Sequence, residues 1–198
     1  MSNYLIPLMV IVPMLCAILV NAFAKFNKSI KVLTFVVAIC LPIIPLISNY
    51  GLHFFGGYTP MVDNVTGVIY HPAITYSFDM LQQIFIAAIG LITFLVAFIY
   101  LSKYKKASGQ YLFLLFMGTA SVTALMLTDD IFNMFVFFEI LALVQVGIVI
   151  ASPMDYSYEM ALKYMILGSI GSPIMLLGIG FLLASTGNIN ISDIVVAL

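Results

Sequence analysis

The sequence predicts an all-α polytopic membrane protein of about six transmembrane helices, forming a single transmembrane domain over residues 1–198. Three observations predict it. The chain is 64% hydrophobic and only 8% charged, against roughly 25% charged in soluble domains. Six apolar stretches each reach the ~20 residues of helix that cross a hydrocarbon core. The lysines cluster in alternate connections between those stretches, as repeated passage through a bilayer requires. Seven Lys and no Arg against eight carboxylates leave a net charge of −1. That balance offers no basic surface for nucleic acid.

The first stretch, at about 4–23, lacks a positively charged leader and has the length of a full span. It reads as an anchor that stays rather than a cleaved signal peptide. The second lies at about 30–49, with Lys25, Lys28 and Lys31 at its junction with the first. The long connection 50–80 follows, "YGLHFFGGYTPMVDNVTGVIYHPAITYSFDM". Its second half alternates in places and carries β-branched and aromatic residues, which predicts a short strand or hairpin on the outer face. His53 and His71 fall here without ligand spacing and read as ordinary loop histidines, and Asn64-Val65-Thr66 matches a short, common glycosylation pattern. The third stretch, about 81–101, is followed by Lys103, Lys105 and Lys106; the fourth runs over about 111–128. The Asp129–Asp130 turn leads to the fifth at about 131–151, and the sixth covers about 158–184. By the positive-inside rule the lysine-bearing connections are cytoplasmic. Both termini and the 50–80 loop then face out, in a multi-pass protein of the cell membrane.

Cys16 and Cys40 sit inside apolar runs and read as buried small hydrophobes. Cysteine spacing for zinc or iron–sulfur clusters and Gly-rich nucleotide loops are both lacking, so no cofactor and no metal is expected.

Two charges interrupt the apolar stretches. Glu139 stands eight residues inside the fifth, about 12 Å of helix rise from its start. An acidic side chain at that depth costs ~2.5–3.5 kcal/mol on insertion scales, and Glu is too short to reach the interface. A carboxyl able to gain and lose a proton there suits a proton relay; the alternative is a neutral Glu bonded to a neighbouring helix. Lys163 lies about five residues into the sixth stretch, within reach of the interface along its apolar stem. Glu159, four residues earlier, shares its helix face. Lys163 therefore reads equally as anchor or relay. If helices five and six are antiparallel, Glu139 and Lys163 are separated by about 10 Å along the axis. Water could bridge that gap; direct contact is not expected. Gly168, Gly171, Ser172, Gly178 and Gly180 give the sixth stretch a small-residue face suited to close helix packing, and Pro173 predicts a bend.

The segments "LTDDIFNMFVFFEILALVQVGIVIAS" and "EMALKYMILGSIGSPIMLLGIGFLLASTGNINI" resemble the fifth and sixth helices of antiporter-like subunits. These build the membrane arms of respiratory complex I, multisubunit sodium/proton antiporters and energy-converting membrane hydrogenases. Phe137-Phe138-Glu139 and the Ala161–Lys163–Tyr164 pattern followed by Leu177 carry the resemblance most specifically. Upstream, "GVIYHPAITYSFDMLQQIF" is similar to the family's approach to its third helix, with Asp79 at the usual aspartate. The resemblance implies that Glu139 and Lys163 are the helix-five and helix-six relay residues, with Asp79, Asp130 and Glu159 as supporting groups. In the family the glutamate pairs with a lysine on a broken seventh helix, among about fourteen helices arranged as inverted repeats. The present sequence stops at Leu198, ahead of that helix, and Gln145, Val146, Met80 and Gln82 depart from the usual residues.

The expected function is that of an antiporter-like membrane subunit of an energy-converting hydrogenase, related to complex I, contributing to proton or sodium movement coupled to electron transfer. Its partners would be other integral membrane subunits, one of them supplying later helices and a Lys or His near Glu139. The alternative is a scaffold subunit of the same kind of complex that moves no ion. A stand-alone small-molecule transporter fits less well, because no second repeat and no pair of discontinuous spans is visible.

Overall fold

A bilayer core offers no water to backbone polar groups, so apolar stretches close their hydrogen bonds within themselves as helices. The computed structural model describes residues 5–55, 61–62, 69–70, 74–104, 108–151 and 156–197. Six of its helices are long and apolar enough to span: α1 (Leu5–Ala22), α2 (Asn27–Leu46), α3 (Met80–Lys103), α4 (Gly109–Leu127), α5 (Ile131–Ile150) and α6 (Ser157–Thr186). Each end lies within three residues of the expected one. The largest differences are at α2, which starts and ends three residues earlier than expected. Lys28 and Lys31 belong to its first two turns, because lysines at an interface keep helical backbone while their ammonium groups reach water.

The described residues of the 50–80 connection hold four strands, β1 (Gly51–Phe55), β2 (Met61–Val62), β3 (Ile69–Tyr70) and β4 (Ile74–Phe78). They pair antiparallel as nested hairpins, β1 with β4 in the register Gly51↔Phe78 to Phe55↔Ile74, and β2 with β3. The expected strand in the second half is β4; its partner β1 was not anticipated. The histidines' side chains and Asn64 to Thr66 lie outside the described residues. A short helix, α7 (Ile191–Ala197), follows α6.

Helices α1 to α4 form a bundle in which α1 packs on α4 and α2, and α3 on α2 and α4. Its core has two parts. Cys16, Val20, Ile30, Leu41, Leu112 and Phe116 fill one, and Ile6, Met9, Tyr76, Phe78, Ile86 and Leu127 the other. Phe78 carries β4 into the second part, so the hairpin is seated on the bundle rather than hung from it. Thr93 and Thr119 share a buried hydrogen bond of 2.9 Å between α3 and α4. Cys16 is buried as expected, but Cys40 is exposed on the outer side of α2: only one face of a helix at the bundle's edge meets protein.

Helix α5 packs on α4, and α6 on α5, so these two extend from the bundle as a row. Helix α6 buries only Ser157, Ala161 and Ile179. It continues through Pro173 and ends at Gly187, whose φ of 71° suits a residue without a Cβ. Among the described residues, no helix packs closely on the small-residue face of α6. A Cβ added at Gly168, Gly171, Gly178 or Gly180 would meet no atom within 4 Å.

Candidate functional site: the α5–α6 cleft

Helix α5 starts where Asp130 caps it, the carboxylate accepting the backbone N–H of Asn133 at 2.8 Å. Asp130 is only 2% exposed. Around it three segments meet. Asp129 N–H donates to the Thr75 carbonyl of β4 (2.9 Å), Ile131 N–H to Ile189 (2.9 Å), and Ile191 N–H to Asp129 (2.7 Å). Side chains reinforce this: Thr75 donates to Asn190 (3.1 Å), Asn133 to Thr128 (3.0 Å) and Ser192 to Asp129 (2.7 Å). The knot ties β4, the α4–α5 turn and the α6–α7 turn together, and so fixes where α5 begins relative to where α6 ends. Burial pushes the Asp130 carboxyl above its ordinary value of 3.8, opposed by the N–H groups of Asn133 and Phe132 and assisted by the nearby Asp129 charge.

From this anchor α5 descends to Glu139, which is half-buried and turned toward α6. It lines a cleft of about 130 Å³ together with Ala142, Leu143 and Val146 of α5 and Tyr164, Met165, Gly168 and Ser169 of α6. That volume admits water. The Glu139 carboxylate has no hydrogen bond or ion pair with any described residue. Farther along α5, the Tyr164 hydroxyl donates to the Gln145 side-chain carbonyl across the helix pair.

Lys163 binds Glu159 at 2.6 Å, with the two side chains 65% and 59% exposed. No ion pair joins Lys163 to Glu139, as the axial separation anticipated. Asp79 caps α3, where its backbone N–H donates to Gln82 (2.5 Å) while Gln82 donates to Ser77 (2.9 Å). The residues singled out from sequence thus fall into three places. Asp79 and Asp130 sit at helix starts on the hairpin side, Glu139 is in the cleft, and the Glu159–Lys163 pair lies toward the opposite end. Sequence reasoning noted Gln145 only as a departure and missed its bond to Tyr164, although Tyr164 adjoins the lysine that drew attention.

Residues 128–198 match the family described as NADH:quinone oxidoreductase/Mrp antiporter, transmembrane. An uncharacterised protein of Methanocaldococcus jannaschii is 41% identical over 193 residues, covering 96% of this chain and 38% of that protein. A Na(+)/H(+) antiporter subunit of Bacillus subtilis is 32% identical over 112 residues, 57% of this chain and 22% of that one. Among solved structures, a chain of the membrane-bound sulfane sulfur reductase, an archaeal respiratory membrane complex, superposes with a TM-score of 0.80 at 23% identity, covering 96% of this chain and 39% of its own length. The sequence therefore spans less than two fifths of these relatives. The matched segment begins at the capped start of α5 and contains the cleft, and with the shared fold it shows that the chain belongs to the antiporter-like membrane subunit family of complex I and Mrp-type complexes.

Proposed function

We propose that the chain serves an energy-converting hydrogenase, related to complex I, as an antiporter-like subunit that helps couple electron transfer to proton or sodium movement. The observation that carries this reading is Glu139: a carboxylate deep in a transmembrane helix, facing a cleft wide enough for water, with no partner among the described residues. An ionised carboxylate at that depth costs ~2.5–3.5 kcal/mol, and a cation within ~4–6 Å reverses the preference. In the proposed relay, the proton leaves Glu139 as such a cation approaches and pairs with its carboxylate, and returns as the cation withdraws. The Tyr164–Gln145 bridge joins the residue next to Lys163 to a position on α5 six residues beyond Glu139. It offers polar atoms across an axial gap of about 10 Å.

The cation must come from elsewhere, because Lys163 is engaged by Glu159. The open glycine face of α6 supports a further transmembrane segment packing there and bringing a Lys or His to the cleft. The occupied lysine also favours a second reading, a scaffold that packs in the complex and moves no ion. A structure of the assembled complex separates the two. The relay requires Glu139 to face a Lys, a His or ordered water within hydrogen-bonding or ion-pair reach. A Glu139 that faces lipid, or a purely apolar neighbour, refutes it.

A further inference from the structure

The outward side of α2 has a charge pattern that the proposed relay does not use. Lys28 and Lys31 stand near its start, three residues apart on one surface, where side chains are neighbours about 5–6 Å apart at Cβ. Below them runs an exposed apolar track of Val32 (57% exposed), Phe35, Val36, Ile39 and Ile43. From Val32 to Ile43 the helix rises about 16 Å, close to one leaflet of a ~30 Å hydrocarbon core. Two grooves flank the Val32–Val36 ridge. One, of about 310 Å³, is lined by Lys31, Val32, Phe35, Val36 and Leu101 of α3. The other, of about 480 Å³, is lined by Lys28, Ser29, Val32, Leu33 and Val36. Each groove therefore has its own lysine at the mouth, and the ridge is common to both.

The charges here are uncompensated. Lys31 donates to the Tyr104 carbonyl at 3.0 Å, which holds its ammonium in place and leaves two N–H donors unused. Lys28 bonds to no described residue, and among the described residues no carboxylate pairs with Lys25, Lys28, Lys31 or Lys103. The described carboxylates are instead in the cleft, on Lys163 or on the hairpin side.

We propose that this face of α2 is a binding site for a two-chain anionic phospholipid. The phosphate sits between the Lys28 and Lys31 ammonium groups with the Ser29 hydroxyl as a further donor. One acyl chain lies in each groove astride the Val32–Val36 ridge. A lipid commends itself over a protein helix because the site pairs a small, doubly cationic head that no described carboxylate neutralises with two apolar grooves at its foot and an exposed track of one-leaflet length below them.

The test counts lipids retained by the protein, with whatever subunits it keeps, after reconstitution into bilayers of equal phosphatidylglycerol and phosphatidylcholine and native mass spectrometry of the released complex. Retained lipid should be enriched in phosphatidylglycerol. A lysine at a membrane surface favours an anionic headgroup by about fivefold, so Lys28→Gln should lower the enrichment by about that factor and Lys28→Arg should preserve it. Val36→Trp, which fills both grooves and keeps the charge, should lower the number of lipids retained. Equal retention of the two lipids overturns the proposal, as does enrichment unchanged in Lys28→Gln. So does loss of a co-purifying subunit in Lys28→Gln with retained lipid unaltered, which would assign the face to a protein partner.

Discussion

Gly90 of α3 lies directly against the backbone of α2. A Cβ at this position would stand 2.6 Å from Pro42 N, 2.8 Å from Leu41 C and 2.9 Å from Pro42 Cα. All three are backbone atoms of α2, so no rotamer change relieves the clash, and the helices must move apart toward ordinary contact distance. Overpacking of this kind costs about 1–3 kcal/mol, and contact with backbone places Gly90→Ala at the upper end. The gain from replacing glycine in a helix returns about 1 kcal/mol, leaving a net loss of about 2 kcal/mol. Gly147 supplies the control. Its added Cβ would meet Leu114 Cδ2 at 2.7 Å, the far end of a flexible side chain. A rotamer adjustment there costs about 0.5–1.5 kcal/mol, which the same helix gain offsets. Reversible unfolding in mixed micelles, followed by circular dichroism, should show Gly90→Ala clearly destabilised and Gly147→Ala near wild type. Equal stability of the two variants would refute the reasoning, since it would mean that the α2–α3 crossing yields as easily as a leucine side chain.

Asp130 makes stability depend on pH. Its folded-state carboxyl titrates above the ordinary 3.8, so in that window the folded state holds the proton more tightly than the unfolded one. Its contribution therefore falls as pH rises from about 3.8 through the raised value and is flat beyond. Asp130→Asn keeps an oxygen to cap α5 and should remove this component from the unfolding profile; a profile that Asp130→Asn leaves unchanged would contradict it. The topology expected from the lysines is tested after replacing Cys16 and Cys40 with Ala. Lys28→Cys and Lys103→Cys should label from the cytoplasm only and Pro60→Cys from outside only, whereas labelling of positions 28 and 60 from the same side would overturn it.

The helices were legible because hydropathy over ~20 residues reports the one constraint a bilayer imposes, an apolar and internally bonded segment. The lysines then placed the connections, although hydropathy put α2 three residues too late by treating Lys28 as loop. Strand β1, "GLHFF", has no alternation to betray it and pairs with β4 at sequence separations from 19 (Phe55↔Ile74) to 27 (Gly51↔Phe78). Such long-range pairing is set by the bundle surface that receives Phe78. The cleft was half legible. Glu139 announced itself as a charge in an apolar run, and Lys163 with Glu159 by helical spacing. The Tyr164–Gln145 bridge depends on how α5 and α6 rotate about their axes, which a nearly all-apolar helix does not encode in its hydrophobic pattern. For the same reason the glycines of α6 revealed a packing face without revealing that its partner is not one of the described helices.

The proposed relay stands or falls on the titratable proton of Glu139. Glu139→Gln retains the size and hydrogen-bonding capacity of the side chain and removes only that proton. The most direct measurement is ion translocation driven by electron flow in the assembled complex reconstituted into vesicles, wild type against Glu139→Gln. The account predicts that the Glu139→Gln complex assembles, transfers electrons and moves markedly fewer ions per electron. An assembled Glu139→Gln complex that translocates ions at the full wild-type ratio would contradict it and leave the chain as a scaffold.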